Sequence, residues 1–180
     1  MPAFTDLSIV RSASVHDAAA CAAIYAPYVT DTAISFELEP PGPDQMTQRI
    51  ATALEQHAWL VLEEDGRVCG FAYGGSFASR AAYRWSCEVS VYVALGATRR
   101  GAGRRLYAAL FDRLAERGYR TAVAGMTLPN EASAGLHRAM GFEPVGVYRE
   151  IGYKFGAWHD VAWTQRPLAP AAGHPPPEPR

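Results

Sequence analysis

A chain of 180 residues, 49% hydrophobic and 19% charged, is long enough to enclose one sizeable core and too short for two. Seventeen basic against eighteen acidic residues leave a net charge of −1, which excludes a globally basic surface of the kind that binds nucleic acid or an anionic membrane. Cys21, Cys69 and Cys87 are odd in number, with neither a CxxC pair nor a histidine at metal-ligand spacing, so they read as reduced thiols of a cytoplasmic protein.

The opening MPAFTDLSIVRS has no apolar targeting core, and the longest apolar run, 18–29, is too short to span a bilayer and contains Pro27. Residues 7–11 predict a short first strand. Ser14 followed three residues on by Asp17 has the form of a capping box, opening a helix that Pro27 should bring to a close. A loop with the strand-like run AISFELEP follows. PGP at 41–43 marks a break before a second helix over about 44–56, where Met46, Ile50 and Leu54 recur every four residues. WLVLEEDGRVCGFAYGG is two strands joined at Asp65-Gly66, a pair that tolerates positive φ at both centres of a type I′ turn.

Next comes the strand WSCEVSVYV, 85–93. The loop ALGATRRGAG then leads into a helix ending at Arg117, with Leu106, Leu110 and Leu114 on one stripe and Gly118 as its C′ residue. A strand over 120–127, a helix over about 131–140 and aromatic-rich strands over 142–148 and about 158–166 complete a single α/β domain, 1–168. The order βααβββαβαββ predicts a mixed central sheet of about seven strands flanked by about four helices, with a right-handed crossover in the middle joining parallel strands. The proline-dense APAAGHPPPEPR, 169–180, lacks large apolar side chains and is expected to be a disordered tail.

Two stretches carry chemistry. In WSCEVSVYV, period-two alternation sets Trp85, Cys87, Val89, Val91 and Val93 on one face and Ser86, Glu88, Ser90 and Tyr92 on the other. Glu88 is then either a solvated surface acid or part of a site. RRGAGRR lies where a strand hands over to a helix N-terminus, which offers free amides and partial positive charge. Gly101 and Gly103 allow close approach of the backbone, and Arg99, Arg100, Arg104 and Arg105 add charge. A Walker loop requires Gly-Lys-Ser/Thr where Arg104-Arg105 follow the second glycine, and a dinucleotide fingerprint requires glycine at Leu106, so both fail. Two readings remain: the shorter Q/RxxGxG/A pattern clasping one pyrophosphate, and a solvated basic helix start.

Together, CEVSVYV, RRGAGRRLYAAL, LPNEASAGLHRAMGFEPVG and WHDVAW resemble the GNAT acetyltransferase superfamily, and more narrowly its phosphinothricin and methionine sulfone or sulfoximine N-acetyltransferases, over nearly the whole chain to about Leu168. The resemblance implies a single-domain GNAT fold with acetyl-CoA as cosubstrate. It assigns acetyl-CoA to the main chain of Val91 and Val93 and to the loop Arg99, Arg100, Gly101, Ala102, Gly103 and Arg104, with Asn130 against the pantetheine arm. Thr98 departs from the Gln or Arg that begins the superfamily pattern, which should weaken the grip slightly because amides carry most of the contact. Glu88 becomes the general base: an amine at neutral pH is mostly ammonium and cannot attack a thioester until a carboxylate takes its proton. His137 stands where many members carry a tyrosine that protonates the departing thiolate; it either serves that role or packs beside Met140.

For the acceptor the resemblance points to Phe36, Arg80 and Tyr83, the arginine for an anionic group and the aromatics for a short aliphatic stem. Ala78 replaces a second cation common in phosphinothricin enzymes and Thr127 a common glycine, which puts phosphinothricin itself in question. The implied activity is acetyl transfer to the α-amino group of a small amino-acid-like acceptor by a cytoplasmic homodimer, without metal, membrane or nucleic-acid partner. Acetylation of a protein N-terminus or lysine, and a noncatalytic CoA-sensing module, are the alternatives.

Overall fold

The computed structural model describes residues 8–96, 101–169 and 178–179. Its elements are β1 (Ser8–Ser12), α1 (Ala18–Thr30), α2 (Pro43–Gln56), β2 (Trp59–Glu64), β3 (Arg67–Ser76), β4 (Ser86–Val93), α3 (Ala102–Glu116), β5 (Thr121–Thr127), α4 (Glu131–Ala139), β6 (Glu143–Lys154) and β7 (Ala157–Pro167), with short 3-10 turns at Val15–Asp17 and Ala81–Tyr83. The seven strands form one sheet in the order β1-β2-β3-β4-β5-β7-β6. β4 and β5 run parallel and every other neighbouring pair antiparallel, so the sheet is mixed as expected.

Alternation in β2 shows how the layers assemble. Leu60 and Leu62 face the cluster built around α3, with Leu106, Leu110 and Leu114 of the predicted stripe all at 0% exposure. Trp59 and Val61 face the opposite cluster, formed by Cys21, Ile24 and Val29 of α1 and Met46 and Ile50 of α2. Each fully buried leucine contributes about 1.5–3 kcal/mol relative to exposure. Leu54 is only half-buried at the rim of the second cluster. No described helix is long and apolar enough to cross a membrane.

Three expectations need correction. Pro27 lies inside α1, which runs on to Thr30. The ring removes one intrahelical donor, but the Pro27 carbonyl still accepts from the Asp31 amide at 3.0 Å, so the last turn closes. AISFELEP is not a strand; residues 31–42 form an irregular connection whose polar groups are met by side chains. The last two strands are longer than the sequence suggests and meet at Phe155-Gly156, where φ is 51° and 75°. The capping box at Ser14 and Asp17 is present, but it opens the 3-10 turn that leads into α1. Most of the tail, like the loop residues Arg99 and Arg100, lies outside the described residues.

The pairing of β4 with β5 is brief. It covers Ser86 with Thr121, Cys87 with Ala122 and Glu88 with Val123. β4 then continues along β3 as far as Val93, while β5 continues along β7 as far as Thr127. The two central parallel strands therefore part immediately after Glu88.

Candidate active site

Splayed parallel strands leave main-chain donors and acceptors facing one another across a wedge, available to a ligand. A cleft of 340 Å³ occupies this place. Its lining joins Val91 and Val93 of β4, Gly101, Ala102, Gly103 and Arg104 at the start of α3, and Asn130 at the start of α4. All seven described residues expected at the donor are thus in one cleft. Tyr28 closes it from α1, its hydroxyl donating to the Val93 carbonyl at 2.6 Å.

The glycines of the loop have different tasks. Gly101 precedes α3 with φ 76° and ψ 12°, a left-handed conformation that favours glycine. The first turn of α3 has no side-chain cap, and its first backbone bond runs from the Arg105 amide to the Gly101 carbonyl at 3.0 Å. The amides before Arg105 are left for a ligand, with the positive end of the helix dipole behind them. Gly103 allows α3 to approach α4: a Cβ there would stand 3.0 Å from Leu136 Cδ2. Arg105 turns away and binds Ser8 Oγ and Ser8 O at 2.6 and 2.8 Å, tying α3 to β1. Asn130 caps α4 by accepting from the Ser133 amide at 3.0 Å.

Glu88 lies in an adjoining cleft of 440 Å³ that shares Ile34 and Tyr92 with the first. The face read as polar from the sequence is largely aromatic here: Phe36, Tyr73, Tyr92, Tyr148 and Trp163 line the cleft, and Glu88 is its one charged side chain among the described residues. Register explains the grouping. Tyr73 pairs with Ser90, Glu88 with Val123, and Gly125 with Trp163, so all of these share one face of the sheet. The Trp163 ring lies across Gly125, where a Cβ would stand 3.2 Å from Cζ2. No described side chain donates a hydrogen bond to the Glu88 carboxylate, and burial pushes its carboxyl above the ordinary 4.5.

Of the residues expected at the acceptor, Phe36 stands in the Glu88 cleft. Arg80 and Tyr83 do not; they line an exposed cleft of 390 Å³. It is joined to Glu88 through a trough of 590 Å³, which shares Phe77, Tyr83 and Ser86 with the Arg80 cleft and Tyr148 and Trp163 with the Glu88 cleft. His137 lines neither the donor cleft nor the Glu88 cleft. It is 4% exposed, with Nδ1 2.7 Å from the Ser133 carbonyl, Nε2 3.2 Å from the Tyr107 hydroxyl, and its ring edge-on to Phe142. Burial holds its pKa below 6.5. The Ser133 carbonyl, the Tyr107 hydroxyl and the Phe142 ring thus surround the imidazole between α3 and α4. Parity in WSCEVSVYV already placed Ser90 and Tyr92 beside Glu88, whereas Tyr73, Gly125 and Trp163 join them only through strand register.

A helix mouth with free amides, joined through a shared wall to a cleft with one half-buried carboxylate, has the form of a group-transfer site. The family profile for the acetyltransferase (GNAT) domain matches residues 10–163. The chain is similar to the phosphinothricin N-acetyltransferase of Streptomyces coelicolor, 42% identical over 149 residues, 81% of this chain and 87% of that protein. It is similar also to the L-methionine sulfoximine/L-methionine sulfone acetyltransferase of Salmonella typhimurium, 34% identical over 88% of this chain and 94% of that one. Among solved structures, a phosphinothricin acetyltransferase of Sinorhizobium meliloti in complex with acetyl-CoA superposes with a TM-score of 0.89 at 33% identity, covering 94% of this chain and 92% of that one. The chain belongs to the GNAT acetyltransferase family and is an N-acetyltransferase with acetyl-CoA as cosubstrate.

Proposed function

We propose that the protein transfers the acetyl group of acetyl-CoA to the α-amino group of a small amino acid with a neutral polar side chain, of the methionine sulfone or sulfoximine type, with Glu88 as general base. The observation that carries this reading is the unpartnered, half-buried Glu88 carboxylate in a cleft that shares a wall with the donor cleft. The pyrophosphate of the donor meets the first-turn amides of α3 and the charge of Arg104. The main chain of Val91 and Val93, with Asn130, holds the pantetheine arm. The acceptor ammonium gives a proton to Glu88, directly or through water; its nitrogen then bonds to the acetyl carbon, the carbon–sulfur bond breaks, and the second proton released by the nitrogen passes through water to the departing thiolate.

Phe36 walls the acceptor, and Arg80 with Tyr83 draws anionic groups in from the far end of the trough. A neutral sulfone suits a cleft lined by no described cation better than a phosphinate does, and Ala78 supplies no second charge. The reduced state of Cys21, Cys69 and Cys87 fits a cytoplasmic enzyme, and the apolar side chains exposed along β6 fit a homodimer.

Thiol release with methionine sulfone tests the assignment. Glu88→Gln should lower kcat by about 10²–10⁴ and abolish the acid limb of the kcat/KM profile, which should lie above the ordinary carboxylate range. Unchanged turnover would remove Glu88 as base. A preference for peptides over free amino acids would move the acceptor to a protein N-terminus or lysine.

A further inference from the structure

The connection 31–42 between α1 and α2 has no regular secondary structure, yet it carries two walls of the site. Ile34 lines both clefts and Phe36 lines the acceptor cleft. These side chains are 40% and 37% exposed, so their own burial does not fix where they stand. Several ties are local. Thr32 Oγ1 donates to Tyr28 O at 2.6 Å, the Tyr25 hydroxyl meets Ser35 Oγ at 2.7 Å and Glu37 Oε1 at 2.9 Å, and Arg49 grips Glu37 through two bonds of 2.7 and 2.8 Å.

One further tie arrives from the opposite edge of the sheet. Lys154, the last residue of β6, is 4% exposed, and its Nζ donates to Val29 O at 2.6 Å and to Ser35 O at 2.7 Å. Two residues earlier, the Phe36 ring lies directly on the backbone of Gly152; a methyl group added there would clash with the ring at Cε2 and Cζ. Gly152 and Lys154 thus turn inward, while Ile151, Tyr153 and Phe155 between and beside them are 57%, 58% and 63% exposed. A buried ammonium is a costly way to hold two segments together when an apolar side chain would bury more cheaply. What it adds is direction. Its donors are met by carbonyls at fixed points, one of them in the last turn of α1, where the helix dipole favours a cation.

We infer that Gly152 and Lys154 are positioning residues for the acceptor: the β6–β7 hairpin clasps the α1–α2 connection and thereby sets where Phe36 stands over Glu88. Lys154 fixes the main chain on either side of Ile34, at Val29 and at Ser35. Gly152 supplies the flat surface on which the Phe36 ring rests. This inference rests on the assignment of the Glu88 cleft to the acceptor.

The two substrates separate a positioning role from a merely structural one. Lys154→Met keeps an unbranched side chain, one atom shorter, and removes its donors. It should raise KM for methionine sulfone at least about tenfold, while KM for acetyl-CoA changes less than about twofold. Gly152→Ala, at a strand position with ordinary backbone angles, guards against a Lys154 variant that fails to fold; it should displace the Phe36 ring and give the same split. In a Phe36→Ala background, Gly152→Ala should add nothing further, because the ring it displaces is gone. Equal movement of both KM values, no movement of either, or additive effects of Gly152→Ala and Phe36→Ala would overturn the inference. Wild-type enzyme that binds acetyl-CoA yet acetylates no amino acid would overturn the function proposed above, and the clasp as an acceptor device with it.

Discussion

At Glu88, the requirements of catalysis and folding pull in opposite directions. Burial raises its carboxyl above 4.5, so the folded chain holds the proton more tightly than the unfolded one. Stability from this group therefore declines as pH rises from about 4.5 through the raised value, and the cost persists at neutral pH. Glu88→Gln should accordingly raise the thermal midpoint at pH 7, with the gain vanishing below the ordinary carboxylate range. Thermal denaturation at acid and neutral pH checks it. Asp17 has the opposite sign. Two bonds of 2.8 and 2.9 Å from Arg11 and one of 2.8 Å from the Ser14 amide hold its carboxyl below 3.8. The stabilisation is present above 3.8 and is lost as pH falls through the depressed value. Asp17→Asn should cost about 2 kcal/mol at neutral pH, read by denaturant titration, and progressively less in acid.

Between β4 and β5, the site arises from where pairing stops. Three aligned pairs hold the strands together up to Glu88, and the neighbours on either side then carry them apart. Glu88 therefore stands on the last rung of that ladder, in the cleft that shares Ile34 and Tyr92 with the donor cleft. The start of α3 completes that cleft because Gly103 permits contact with α4. Gly103→Val would add carbons against Leu136 and shift the helix mouth, so acetyl-CoA affinity should fall about tenfold with the circular dichroism spectrum unchanged. Isothermal titration measures it, and undiminished affinity would show that the contact with α4 does not shape the mouth.

At the scale of the whole molecule, β6 is the outer strand of the sheet and carries Val145, Val147, Tyr148, Ile151 and Tyr153 at 45–60% exposure; Phe155 and Trp158 continue this surface at 63% and 61%. An edge strand bearing that much apolar surface invites association unless it is covered. Sedimentation should show a dimer. Tyr153→Glu combined with Trp158→Glu, whose paired rings lie 5.1 Å apart, should give a monomer; a monomeric wild type would exclude this assembly.

Elements repeated along the chain were readable from the sequence: the Leu106, Leu110 and Leu114 stripe, the Asp65-Gly66 hairpin, the alternation around Glu88 and the glycine-rich helix start. Each depends on residues within a few positions of one another, where helix and strand periodicity and glycine's backbone freedom act. The strand-like AISFELEP shows the limit of local propensity, since its side chains and carbonyls are tied by Tyr25 and Lys154 rather than by a neighbouring strand. The aromatic wall about Glu88, the burial of His137 and the separation of Arg80 from the acceptor cleft were decided by tertiary structure alone. Register between strands distant in sequence, and exclusion of water from a side chain, are sums over contacts from the whole chain, and local sequence does not contain them.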